Sequence, residues 1–315
     1  MKKRIYIVLL ILSILTSFTS CAAGKKNYEV DLIVKSTSSE FWESVFDGAK
    51  AAGSKYNIDL RFLGPTVEKD YSHQVSIIEQ SILHKVDAII LAAGDYQMMA
   101  EPVSEAVDAG IPVILVDSGV NSELWTTFVA TDNQEAGRVL AQEIDKRVGG
   151  TAEIGVISFV KNSSPSLERI AGFNDYIIEK TKMKIVKTLY CDSSIDKAKQ
   201  LTEELLTNHP GIRVIAGLNA QSATGAARAL EQLGRSDIFL AGIDCTVEQA
   251  DYMEQEILDV AILQNPYLMG YFSVEATFQV LKGERVEKNI CTAVYVVDKE
   301  NMFSEEYQRL IFPFY

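Results

Sequence analysis

From residue 28 onward, short and almost wholly apolar runs alternate with longer stretches whose apolar residues recur at helical spacing. Residues 30–34 form an apolar strand, and 41–55 follow with helical spacing and small residues on one side. The pattern continues through a strand at 59–63, a helix at 71–84 and the strand Ala88-Ile89-Ile90-Leu91. A helix at 98–109 stops at Gly110, and a strand at 112–116 begins at Pro112, a place where a strand tolerates proline. The series then restarts with strands at 153–158, 184–189, 214–217, 238–242 and 259–263. Helices at 166–180, 197–208, 220–233 and 246–256 separate them. Continuous apolar strands flanked by amphipathic helices imply parallel sheets covered on both faces. The double series therefore predicts an α/β protein made of two doubly wound parallel-sheet halves. A break near 131–133 marks the first crossing between the halves. A helix at 267–282 and a strand at 292–297 predict that the chain returns.

Residues 1–20 read as an address rather than as part of this fold. Lys2, Lys3 and Arg4 precede an almost unbroken apolar run over 5–15, too short to favour a spanning helix and fitting a secretory signal. Phe18-Thr19-Ser20-Cys21 resembles the lipobox of bacterial lipoproteins, in which the cysteine is acylated and becomes the new N-terminus. Phe18 departs from the aliphatic residue usual there, and a plain cleaved signal with an incidental cysteine is the alternative. The expected layout is a signal peptide over 1–20, a tether over 21–27 and an extracytoplasmic chain anchored to the cell membrane by lipid on Cys21.

Composition narrows the function. The net charge of −13 argues against a nucleic-acid partner, because binding phosphates needs a basic surface. Cys191, Cys245 and Cys291 are far apart, without metal-type spacing, and an odd number cannot all pair within the chain; they read mainly as small packing residues. No metal and no cofactor is expected.

In open parallel sheets, ligands bind outside the carboxyl ends of the strands. Ser36 to Ser39 follow the first strand, with Phe41 and Trp42 close behind. Gly94-Asp95 and Asp117-Ser118 follow the third and fourth. In the second half Asn219, Asp244 and Gln264 stand at strand ends, and Arg169 sits in an early helix turn. Polar groups beside aromatic planes suit a sugar, whose hydroxyls want carboxylate, amide and guanidinium partners and whose C–H faces want rings. Each residue also has a plainer role open to it. Asp117 and Asp244 could be caps or turn formers, Asn219 could cap its helix, and Arg169 could pair with Glu168. One of the adjacent aromatics should be core, since neighbours on a helix point apart.

Taken in order, these motifs resemble the type I periplasmic binding proteins of the ribose- and galactose-binding class. The motifs are 36–42 followed by Asp47-Gly48-Ala49, then Gly110-Ile111-Pro112-Val113 leading to Asp117, and Thr131-Asp132-Asn133 with Gly137. Glu168-Arg169 with Gly172-Phe173, Asn219 before Gly225-Ala226, Gly242-Ile243-Asp244 and Gln264 complete the series. The likeness covers roughly 30–298. It implies that Asp117, Arg169, Asn219, Asp244 and Gln264 hydrogen-bond a sugar while Phe41 and Trp42 pack on its ring. It also implies lobes at 28–131 plus 265–293 and at 132–264 plus 294–315, closing about a hinge. Ribose binders have asparagines where this chain has Ser39 and Ala93, an arginine in place of Ser118, and an aromatic in place of Ser193. The resemblance therefore does not carry ribose over; Asp95 and Glu40 are the candidate replacement partners, and Ser39 and Ser118 the lesser candidates.

The implied output is delivery of a small polar ligand to the permease of an ABC-type importer. The alternative on the same fold is a sensing lipoprotein that presents its closed form to a membrane sensor kinase. An enzyme is not expected: there is no G-x-G-x-x-G after a strand, no P-loop and no nucleophile elbow, and His73, His84 and His209 fall on helices or their ends. A DNA-binding regulator is disfavoured because a secretion signal stands where its helix-turn-helix would be.

Overall fold

A computed structural model describes residues 27–311. The signal segment, Cys21 and the last four residues of the tail lie outside them.

Two six-stranded sheets are built from the same plan. The first contains β1 (Tyr28–Ile33), β2 (Ile58–Leu63), β3 (Ala88–Leu91), β4 (Val113–Val116), β5 (Thr127–Thr131) and β11 (Asn289–Thr292), in the order β11-β5-β4-β3-β1-β2. The second contains β6 (Glu153–Ser158), β7 (Lys184–Tyr190), β8 (Ile212–Gly217), β9 (Phe239–Ile243), β10 (Val260–Leu263) and β12 (Tyr295–Val297), in the order β12-β10-β9-β8-β6-β7. Strand for strand the two orders correspond, with β4 matching β9 and β5 matching β10. All pairings are parallel except that of β12 with β10.

Helices cover both faces of each sheet. They are α1 (Glu40–Tyr56), α2 (Tyr71–His84), α3 (Ala100–Asp108), α4 (Asn133–Val148), α5 (Ser164–Lys180), α6 (Ile195–Asn208), α7 (Ala220–Leu233), α8 (Val247–Glu254), α9 (Pro266–Leu281) and α10 (Glu305–Ile311). Covering on both sides explains why β3, β4 and β10 are apolar and buried at every position. Each fully buried aliphatic side chain there contributes about 1.5–3 kcal/mol.

One helix pair in each lobe crosses through glycines. A methyl on Gly48 would collide with the Tyr267 carbonyl, and one on Gly270 with that of Val45, at the α1–α9 contact. In the second lobe a methyl on Gly137 would meet the Arg169 carbonyl and one on Gly172 that of Gln134, at the α4–α5 contact. The absence of side chains lets the backbones touch, and it fixes the height at which Arg169 leaves α5.

The chain passes between the sheets three times, from β5 to α4, from β10 to α9 and from β11 to β12. The crossings lie side by side: Thr292 is in register with Thr131, Tyr295 with Leu263, and the hydroxyls of Thr131 and Thr292 are 3.2 Å apart. The apolar run at 292–297, read from the sequence as one strand, is thus two strands in two sheets. β5 and α4, at the break near 131–133, had no strand or helix assigned by pattern alone. The tail helix α10 packs on the second lobe, where Ile311 joins its core and Tyr307 meets Tyr295 edge to face.

Candidate ligand site

The carboxyl ends of the two sheets face each other across a closed cleft. Contacts between the lobes include the Tyr96 N–H donated to the Asn162 carbonyl at 3.0 Å and the Gly119 N–H donated to Ser164 Oγ at 2.8 Å. Lys69 also pairs with Asp192 at 2.6 Å, and the Ser193 hydroxyl donates to Glu68. Burial works against the Asp192 carboxylate, but Lys197 and Lys69 together hold its pKa below the usual range.

A small cavity of about 40 Å³ lies between the sheets. Asp117 follows β4 and Asp244 follows β9, and both have left-handed backbone, with φ of 61° and 71°. Among non-glycine residues aspartate adopts this region comparatively readily, yet it remains uncommon and gathers where a site dictates the turn. Asp244 Oδ1 accepts from Gln264 Nε2 at 2.7 Å, and Oδ2 from the Ala220 N–H at 3.1 Å, at the start of α7. Burial pushes its carboxyl above the ordinary range, opposed by Arg169 and these two hydrogen bonds. Asp117 accepts from the Ser118 hydroxyl and pairs with Lys35 at 2.9 Å.

Arg169, only 2% exposed, does not pair with its neighbour Glu168. Its Nε donates to Asn133 Oδ1 at 2.9 Å and its Nη1 to the Leu218 carbonyl at 2.8 Å, with the guanidinium 5.4 Å from the Phe159 ring centre. Burial raises the Glu168 carboxyl, against the pull of Arg169. Asn219 does cap α7, accepting from the Ser222 N–H at 2.9 Å, while its amide still borders the cavity. Trp42 is core and Phe41 partly buried against it, their rings edge to face at 5.0 Å, and both border the cavity.

The cavity thus gathers Ser39, Phe41, Trp42, Asp117, Arg169, Asn219, Asp244 and Gln264. Three named candidates do not border it. Asp95 spends Oδ1 on the backbone N–H groups of Gln97 and Met98, both at 2.9 Å, the turn-forming role of a strand-end aspartate. Ser118 lies behind Asp117 and steadies it. Glu40 borders only the larger cavity next door.

Sequence reasoning missed Lys35, Glu68, Phe159 and Pro165. Lys35 is 4% exposed, bound to Asp117, 3.4 Å from Ser163 Oγ of the other lobe and 5.7 Å from the Trp42 ring centre. Its signal was its place: a lysine two residues past the end of β1 stands at a strand end. Phe159 likewise follows the end of β6.

The chain matches the periplasmic binding protein domain family over residues 30–285. It is 27% identical over 271 residues to a ribose import binding protein of Bacillus subtilis, covering 86% of this chain and 87% of that one. Among solved structures it is similar to an ABC transporter solute-binding protein of Agrobacterium vitis with bound D-fucose, at 33% identity and a TM-score of 0.87, covering 90% of this chain and 99% of that one. A sugar transporter from Clostridium phytofermentans shares 37% identity at a TM-score of 0.80, over 87% of this chain and 100% of that one.

Proposed function

Because the chain belongs to the periplasmic binding protein family, we propose that it captures a sugar between its lobes outside the cytoplasm and delivers it to an ABC-type importer. The observation that carries this reading is the convergence of carboxylate, guanidinium and amide groups from both lobes on one cavity floored by Trp42 and Phe41. These groups match a polyol ring, whose hydroxyls both donate and accept. The relatives' own ligands, D-fucose in one and ribose in another, are of that class.

The mechanism is binding without covalent change. Asp117 and Lys35 come from one lobe, and Arg169, Asn219, Asp244 and Gln264 from the other, so a ligand holding both sets favours the closed form. Closure brings Lys69 to Asp192 and Ser193 to Glu68, and the surface so formed is what a permease would meet. Acyl chains on Cys21 would keep the protein at the membrane beside that partner.

The test is a thermal-shift screen of the chain from Ala22 against pentoses, hexoses, polyols and furanosides. A ligand should stabilise the protein by about 2.7 kcal/mol at a hundredfold excess over its dissociation constant. Silence across the panel from a folded protein, with response to amino acids or nucleosides instead, would remove the sugar reading.

A further inference from the structure

The two sheets carry their crossings and their free edges at opposite ends. In the first sheet the chain crosses beside β5 and β11, and β2 is outermost at the other end; in the second it crosses beside β10 and β12, and β7 is outermost. β2 stands four strands from β5 and β7 four strands from β10, which is about 19 Å at the ordinary strand spacing. At that radius each 10° of bending about the crossings parts the lobes by about 3 Å, more than at any strand nearer the crossings.

The loops after these two outer strands meet across the cleft. Glu68 and Lys69 follow β2, and Asp192 and Ser193 follow β7. The Ser193 hydroxyl donates to Glu68, and Lys69 Nζ lies 2.6 Å from Asp192 Oδ2, so two consecutive residues of one lobe take two consecutive residues of the other. The first pair adjoins the ligand site, since Glu68 borders the small cavity and Asn219 Nδ2 lies 3.5 Å from Ser193 Oγ. The second pair is more open, with Lys69 53% and Asp192 20% exposed.

Each side is fixed within its own lobe. The hydroxyls of Ser36 and Ser38 both donate to the Thr66 carbonyl, at 2.9 and 3.0 Å, so the serine-rich stretch after β1 holds the loop that carries Glu68. In the second lobe the N–H groups of Cys191 and Asp192 donate to the Ser158 and Phe159 carbonyls, at 2.9 and 3.2 Å. Asp192 and Ser193 then both adopt left-handed backbone, with φ of 57° and 55°. Non-glycine residues are seldom held there, and such strain gathers at clamps and switch regions. The two strained residues are the two that reach the first lobe.

We propose that Glu68 and Lys69 with Asp192 and Ser193 form a latch at the free lip of the cleft, which slows ligand release by holding the lobes shut, and that Ser36 and Ser38 position it. This rests on the reading of the chain as a binding protein whose lobes close on a ligand, and is independent of whether that ligand is a sugar. Because every partner belongs to the protein, the latch favours closure by the same factor with and without ligand. Ser193 contributes the larger share, since a hydrogen bond to a carboxylate is charge-assisted. The exposed ion pair contributes less and is screened by salt.

The experiment uses the chain from Ala22 with Cys291→Ser. Spin labels on Leu83→Cys in α2 and Ile178→Cys in α5, positions 71% and 75% exposed, report the distance between the lobes without ligand. Ser193→Ala should lower the ratio of closed to open form roughly tenfold. Lys69→Met should lower it about two- to fivefold, an effect that vanishes in salt of about 1 M. Ser36→Ala with Ser38→Ala should lower the ratio too, yet add little to Ser193→Ala, because the serines act through Glu68. The same distance distribution in the parent and in Ser193→Ala overturns the latch, and additive losses overturn the positioning role of the serines. Stopped-flow release of D-ribose, D-fucose, D-galactose or D-xylose, whichever binds, should quicken by the same factors while the on-rate stays within about twofold. Unchanged release overturns the latch. Failure of all four sugars to bind counts against the sugar reading alone, and the distances then decide the latch.

Discussion

Asp117 and Asp244 occupy equivalent places in the two lobes, each one residue past a matching strand and each in left-handed backbone, yet their partners differ in kind. Asp117 faces a cation, Lys35, whereas Asp244 faces an amide and a helix N-terminus. The site therefore offers one neutralised carboxylate and one held by neutral donors.

Asp244 accepts one hydrogen bond on each oxygen, and each oxygen keeps a further lone pair for a ligand hydroxyl. Asp244→Ala should leave the fold intact and weaken ligand binding by about 2–4 kcal/mol, the scale of a lost buried charged hydrogen bond. Titration calorimetry with the sugar found by thermal shift checks it, and unchanged affinity would mean that Asp244 only shapes its turn.

The Lys35–Asp117 pair is almost wholly buried, with side chains 4% and 6% exposed. Lys35→Met should strand the carboxylate and cost about 3–5 kcal/mol of unfolding free energy. Adding Asp117→Asn should recover most of the loss, as urea denaturation of the single and double variants would reveal. A single variant as stable as the parent would show that the pair is solvated in practice.

Gly137→Ala tests the helix crossing beneath Arg169. The added methyl meets the Arg169 carbonyl. Overpacking of this kind costs about 1–3 kcal/mol. Because the carbonyl belongs to a site residue, ligand affinity should fall along with the melting temperature; a drop in stability alone would uncouple the crossing from the site.

Asp259 predicts a pH dependence of stability. Its carboxyl, pushed up from 3.8 to about 6 chiefly by burial, accepts the Leu240 N–H at 2.8 Å. The folded chain thus holds this proton to higher pH than the unfolded chain does. The contribution to stability is full below about pH 4 and is lost as pH rises through about 6. Asp259→Asn should flatten that part of the profile in melts taken across this window; an unaltered profile would assign the dependence to another group.

Much of this was legible in the chain because apolar runs such as 88–91 and 112–116 must be covered on both faces, which dictates parallel strands and helices on either side. Strand ends then located Asp117, Asn219, Asp244 and Gln264. Pattern could not separate Asp95 from Asp117, since both follow buried strands; only the backbone N–H groups of Gln97 and Met98 show that Asp95 serves its own turn. Lys35 was hidden by the serines after it, which drew attention one residue too far. The run at 292–297 gave no hint of its division, because strand pattern carries no record of which sheet a residue joins.

Three adjacent crossings, rather than one, determine how the lobes can move. A single tether would permit bending, twisting and sliding alike, and the lobes would wander through many unliganded arrangements. Here Thr131 is tied to Thr292 and Leu263 paired with Tyr295, so twist or slip would have to shear both pairings at once. What remains is essentially one degree of freedom, a bend along the line of the crossings. Each approach of the lobes then retraces the same arc, and Lys69 meets Asp192 without a search.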